Sequence, residues 1–290
     1  MKRTALPPSP ARSLSASDPS MIIDFHTHVF PDRIAQRTIE HLSEKGGIPP
    51  FSDGSVQGLL KRLEEADAAL AVNLPVVTNP KQFESLNNFA AELNRSYAGA
   101  PRRILSFAGI HPHCEQIDEK MAWISANGFL GVKIHPDYQE TYIDDERYMQ
   151  ILAAAKRHDL IVVTHTGVDG GFRGMPVRCP PERAKRLIEA VPHSKLVLAH
   201  YGANEMLEAS LATLAGLDVY FDTAYILRFV SAELFRAILQ KHGEDRVLFA
   251  SDSPWSSTEK DAALLRSFEL SAQTESKILY ENAARLLKLR

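Results

Sequence analysis

The chain has 290 residues, 44% of them hydrophobic and 24% charged, and a formal net charge of -3. This is the composition of a soluble globular protein long enough for a large core. It excludes a basic nucleic-acid footprint, an apolar run approaching the roughly 20 residues of a membrane span, and a disulfide framework or structural zinc pattern, since Cys114 and Cys179 are the only cysteines and lie far apart.

A reducing cytoplasm and a small-molecule substrate, with no nucleic acid and no membrane partner, are the corresponding expectations. Residues 1–20 are rich in Pro, Ser and Ala, and Pro7, Pro8 and Pro10 interrupt the apolar stretch that a secretory signal needs. They are expected to form a disordered N-terminal extension ahead of one domain over 21–290. Met21 stands directly before the first strand pattern, so translation is expected to start there naturally; the intact mass of protein made from its own gene tests this.

The first apolar run, 22–26, ends on His26-Thr27-His28. In an extended strand positions i and i+2 share a face, so both imidazoles project together, as a divalent metal requires. Two histidines can also simply cap a strand, and downstream residues must decide. Further strand patterns lie at 69–74, 104–110, 129–135, 160–165, 195–200, 218–222 and 247–252, eight in all. Helical patterns separate them, such as 148–158, with Met149, Leu152, Ala153 and Lys156 at helical spacing, and 181–191, with Pro181 at an early position. Alternation of this kind predicts a parallel sheet with right-handed crossovers. Eight units predict an α/β (β/α)8 TIM barrel, a doubly wound open sheet being the alternative. A final helix over 274–289 is expected against the outside, where it offers a surface for a homodimer.

The polar residues keep phase with the strands. His111 follows the third strand pattern, and His135, His165, His200, Asp222 and Asp252 end the next five, at separations of 24, 30, 35, 22 and 30 residues. Those are lengths of single βα units, so the side chains should converge on the C-terminal rim, where barrels collect their chemistry. A single buried histidine is commonly satisfied by backbone; the set is harder to explain that way.

The motifs His26-Thr27-His28, Gly131-Val132-Lys133-Ile134-His135-Pro136, Val163-Thr164-His165-Thr166-Gly167, Leu198-Ala199-His200-Tyr201-Gly202 and Ser251-Asp252-Ser253-Pro254-Trp255 resemble, in order, the amidohydrolase superfamily. The nearest branch is amidohydrolase-2, which includes aminocarboxymuconate-semialdehyde decarboxylase-like enzymes. The resemblance implies one divalent metal held by His26, His28, His165 and Asp252, with His200 close by. Three imidazoles and a carboxylate suit zinc, and manganese, iron, cobalt or nickel fit the same donors. Asp252 and His200 are then the catalytic residues: Asp252 touches the metal and takes the water proton, and His200 holds the water or polarises the substrate. Some branches carry a carboxylated lysine on the fourth strand that bridges two metals. Here Lys133 lies two residues before His135, about 6–7 Å deeper along the strand, so a single metal is preferred and a second is expected only if Lys133 is carboxylated.

His111-Pro112-His113 also resembles the TatD-type deoxyribonucleases, but the fourth strand carries Lys133 where those proteins place a ligating Glu. His111, His135 and Lys133 are therefore expected to face the substrate. The Gly-rich loop 167–181 is expected to act as a flexible excursion or lid, with Arg173 or Arg178 available to a substrate carboxylate or phosphate. Tyr225, Arg228 and Trp255 are rim candidates. The expected activity is hydrolysis of an ester, lactone or amide carbonyl in a small, anionic molecule. Non-oxidative decarboxylation is the alternative, with a deoxyribonuclease and a non-catalytic metal-binding scaffold behind it.

Overall fold

The computed structural model describes residues 21–289; the expected disordered extension, 1–20, lies outside the described residues. The strands are β1 (Ile23–Thr27), β2 (Leu70–Asn73), β3 (Arg103–Ser106), β4 (Ala108–Gly109), β5 (Gly131–Ile134), β6 (Ile161–Thr164), β7 (Leu196–Leu198), β8 (Tyr220–Asp222) and β9 (Val247–Leu248). They run parallel in chain order, in ribbons β1 to β3 and β4 to β9.

Strands β3 and β4 are two halves of the single strand expected over 104–110. They part at Phe107, whose N–H still donates to the Asn73 carbonyl at 2.9 Å. At the other seam Phe25 donates to Phe249 at 2.9 Å and Asp252 to His26 at 2.8 Å. With both seams bonded the ribbons close into a (β/α)8 barrel.

Helices α1 (Asp32–Gly46) and α2 (Val56–Glu65) both follow β1, α3 (Phe83–Tyr97) follows β2, and α4 (Ile117–Ala126) follows β4. The remaining crossovers are α5 (Glu146–Arg157), α6 (Pro181–Ala190), α7 (Leu207–Thr213) and α8 (Ala232–His242), with α9 (Thr258–Ser267) after β9. Helix α5 starts two residues before its apolar pattern because the Asp145 carboxylate accepts the Arg147 amide and caps it. Among the described residues no helix is long and apolar enough to cross a membrane.

Strand alternation divides the core into two layers. Val162, Leu196, Leu198 and Phe221 pack outward with helix residues such as Leu152, Leu187 and Phe235. Ile161, Val163, Val197 and Leu248 face inward. The chain end departs from expectation. It runs as α10 (Ala272–Ser276), a π turn at Lys277–Glu281 and α11 (Asn282–Leu286). Its Tyr280, Ala283, Leu286 and Leu287 join the inward cluster with Met21, Ile23, Leu70 and Ile161. Those strand residues are starts, so the segment plugs the N-terminal end of the barrel instead of lying against its outside. The strand starts leave an apolar opening there, and an amphipathic helix is the inexpensive cover.

Asp24 braces the seam that carries the later chemistry. Its carboxylate accepts the Ser251 amide at 2.9 Å, the Ser251 hydroxyl at 2.6 Å and the Thr258 hydroxyl at 2.7 Å, fixing β1 to the residues after β9. Nearby on α9, Asp261 accepts from Ser256 through Oδ1 at 2.9 Å, while its buried Oδ2 has no partner among the described residues. Burial, opposed by the Ser256 bond and reinforced by Asp24, lifts its pKa to about 7. A raised acid favours the protonated fold, so this contribution is complete below about pH 4 and is lost as pH rises to about 7. Asp261→Asn should therefore gain on wild type as pH rises from about 4 to 7, its unfolding free energy increasing relative to wild type by about 1–2 kcal/mol across that window. Melting curves with a constant offset across that range would refute the assignment.

Candidate metal centre

The pairing register slips between Asp24 and Thr27, inserting one extra residue in β1. Strict alternation is broken there. Phe25 packs into the inner core, and its neighbour His26 still faces the rim. His28 lies one residue past the strand, held by its N–H to Ser253. The two rings stand 5.0 Å apart at 72°.

Hydrogen bonds fix how these rings present themselves. His26 Nδ1 is 2.8 Å from Asp222 Oδ2, and Asp222 Oδ1 accepts the His200 and Ala224 amides. The carboxylate accepts at both oxygens, so His26 donates from Nδ1 and aims its Nε2 lone pair inward. His28 Nδ1 lies 2.9 Å from the Leu74 carbonyl, which can only accept. A neutral His28 therefore points its Nε2 lone pair at Asp252 Oδ1, 3.1 Å away. Two acceptors so placed are reconciled by a shared proton or by a metal cation.

His26 Nε2 is 3.5 Å from the same oxygen. Zinc bonds of roughly 2.0–2.1 Å set tetrahedral ligand edges at about 3.4 Å, so the three atoms are spaced as donors around one small dication. Burial would raise Asp252, but its hydrogen-bond contact with His28 and the imidazoles gathered around it outweigh that and hold the carboxyl below its ordinary range. Burial first, then Lys133, holds His26 well below the ordinary imidazole range, which keeps the ring neutral as a ligand must be.

Lys133 reaches this centre from its deeper position on β5. Its Nζ is 3.0 Å from His26 Nε2, in the buried interior. Burial pulls the ammonium down to about 8, with Asp222, Asp252 and Asp169 acting in the opposite sense.

His165, the fourth expected ligand, is not grouped with the other three. His200 donates from Nδ1 to the Ala224 carbonyl at 3.0 Å, so its Nε2 accepts, and the His165 Nδ1 at 2.9 Å is the donor. The remaining lone pair on His165 Nε2 is buried and unpartnered, 3.9 Å from Asp137 Oδ2. The ring stacks on His135 at 4.2 Å, and His135 Nε2 lies 3.4 Å from Asp169. His135, His165 and Asp169 thus form a second group of candidate donors. Its two rings are only 10° from parallel, so their in-plane lone pairs do not converge on one ion.

The other expected site residues spread over the rim. His111 is buried, accepts the His113 amide at 3.1 Å and neighbours the His113 ring. Arg173 is exposed and forms a two-bond pair with Glu205. Trp255 donates its amide to the Asp252 carbonyl at 2.8 Å and accepts from Arg228 at 3.1 Å. Sequence reasoning gave no role to Asp137, Tyr138 or Asp169, and left Asp222 as a rim position. Tyr138 stacks edge-on over His135, and Lys45 lies over both Tyr138 and Phe172. The signals were present as Asp137 two residues after His135 and Asp169 four after His165.

The family model for Amidohydrolase matches residues 23–289. The chain belongs to that family. This amidohydrolase resembles solved structures over nearly its whole length. One is described as an uncharacterised TIM-barrel protein from Bordetella bronchiseptica (TM-score 0.69, 16% identity, covering 92% of this chain and 98% of that one). Another is a 5-carboxyvanillate decarboxylase from Novosphingobium aromaticivorans with bound manganese (0.65, 15%, 93% and 97%). A third is a probable 2-pyrone-4,6-dicarboxylic acid hydrolase from Acinetobacter baumannii (0.63, 15%, 92% and 99%). At these identities the likeness shows the fold. No curated protein matches the chain.

Asp222 gives the amidohydrolase a testable orienting group. It must accept at both oxygens, and an amide cannot do so. Asp222→Asn should weaken metal affinity about 10–100-fold by disturbing the His26 tautomer, measured by competition with a chromophoric chelator. Unchanged affinity would remove Asp222 from this role.

Proposed function

We propose that this amidohydrolase is a metal-dependent hydrolase acting on an ester, lactone or amide carbonyl of a small molecule in the cytoplasm. The observation that carries the reading is the convergence of His28 Nε2, at 3.1 Å, and His26 Nε2, at 3.5 Å, on one oxygen of the buried Asp252 carboxylate. His26, His28 and Asp252 would hold a divalent ion, zinc by preference and manganese, iron, cobalt or nickel by the same donors. When bound, such an ion supplies Lewis acidity and makes water a nucleophile at neutral pH.

The chain's own groups do the rest. Asp222 orients His26. Asp252, ionised at neutral pH, accepts a proton from the attacking water and returns it to the leaving group. His200 is oriented by the bond from its Nδ1 to the Ala224 carbonyl, and release of its Nε2 from His165 would let it bind the substrate oxygen. His165, whose Nε2 is free of a hydrogen-bond partner among the described residues, would be the fourth residue to hold the ion.

Decarboxylation is the second reading, favoured by the buried Lys133 ammonium beside the centre, a ready counter-charge for a carboxylate. Product analysis in H2¹⁸O separates the two. Hydrolysis places one ¹⁸O in the acid product; CO₂ release without label uptake would overturn the first reading in favour of the second.

A further inference from the structure

Four buried polar atoms beside the proposed centre lack hydrogen-bond partners among the described residues: His135 Nδ1, Asp137 Oδ2, His165 Nε2 and Arg178 Nη1. Buried polar atoms are paired in nearly all folded proteins, so a cluster of orphans marks a place built for a ligand. Arg178 is the donor among them. Its backbone is pinned on both sides, the amide donating to Asp137 Oδ1 at 3.3 Å and the carbonyl accepting from Ile143 at 3.0 Å. Its side chain is only 15% exposed, and the nearest carboxylate oxygen, on Asp137, stands 3.8 Å away, beyond hydrogen-bond reach. The guanidinium therefore brings five N–H donors to the rim and donates none of them to a protein acceptor among the described residues.

Arg173, on the same loop, is the contrasting case. It is exposed and already satisfied by Glu205. A cation beside Arg178 is disfavoured by the guanidinium itself and by the near-parallel His135 and His165 rings. A planar oxyanion has none of these objections, because two parallel N–H bonds to one carboxylate match the guanidinium fork.

We propose that Arg178 is the anchor for a carboxylate on the substrate, so that the enzyme takes small carboxylic acids in preference to neutral molecules. This rests on reading the rim as a small-molecule hydrolase centre. Asp137 lies between Arg178 and His165, and its charge opposes the incoming carboxylate, so it limits affinity while it keeps Arg178 in place.

The test is calorimetric titration of the EDTA-treated full chain at pH 8 with acetate, malonate, glutarate and benzoate, against acetamide, malonamide, glutaramide and benzamide. At least one carboxylate should bind in the millimolar range and its amide should not. Arg178→Gln should weaken that binding by at least ~10-fold, Arg178→Lys less, and Arg173→Gln by under ~2-fold. Asp137→Asn keeps the backbone bond through its amide oxygen and should tighten binding about 3–10-fold by removing a like charge.

Wild-type affinity in Arg178→Gln, equal binding of acid and amide, or no binding of any acid overturns the anchor. If Arg178→Gln does not fold, Asp137→Asn decides: unchanged or weaker affinity overturns it. Because no turnover or metal is involved, the result is separable from the hydrolase reading. Carboxylate binding without hydrolysis leaves the anchor standing and removes the reaction; metal-dependent hydrolysis with an indifferent Arg178→Gln does the reverse.

Discussion

Asp252→Asn lowers kcat/KM of the metal-loaded enzyme by at least ~10³-fold, the combined loss of a ligand charge and a general base. The asparagine fits the same space, so the fold should persist. What changes is charge: the His26 and His28 lone pairs would then face a neutral oxygen or an amide N–H, and the balance that accommodates a dication disappears. Metal titration separates the two losses. Affinity should fall along with turnover, and at saturating metal a large defect should remain because Asn cannot accept the water proton. A variant within tenfold of wild type at saturating metal would remove Asp252 from proton transfer.

The largest expected effect on stability lies two residues after His165. Gly167 has φ +84°, and a Cβ there would stand 2.3 Å from both the backbone N and O of Asn204. The approach is deliberate in its bonding: Val168 donates to Asn204 at 3.0 Å and Asn204 to Thr166 at 3.0 Å. These bonds zip the loop after His165 to the loop after His200. Gly167→Ala combines left-handed strain with a backbone collision that no rotamer relieves, and should cost about 3–5 kcal/mol. The urea midpoint should fall accordingly. Because spreading the loops separates His165 from His200, the surviving folded fraction should also lose activity. A midpoint shift worth under ~1 kcal/mol would show that the contact is soft.

Much of this was legible before any coordinates. Alternating apolar runs and helical patterns specify a closed parallel barrel because each strand's two faces are written in neighbouring residues, and strand-end histidines inherit their direction from that phase. Strand-end phase put His26, His28, His165 and Asp252 on one rim and the family resemblance implied that they share a metal, although the local cause differs at His26, where a bulge and not simple alternation sets the side chain. The C-terminal helix was legible as a helix. Its seat was not, because an amphipathic segment does not say which apolar surface it covers.

The sequence by itself determined the fold, the rim and the strand-end residues brought to it, though not Asp137, Tyr138 or Asp169 on the loops, since backbone periodicity is a local property of the strands. Only the tertiary structure decided their pairings. Asp222 orients His26 across 196 positions, Glu205 engages Arg173, His165 pairs with His200 in place of joining the first three donors, and Arg178 is left with unspent N–H donors among the described residues. Tautomers, rotamers and buried charges answer to whichever groups lie within a few ångströms, and those groups come from distant parts of the chain that no local pattern records.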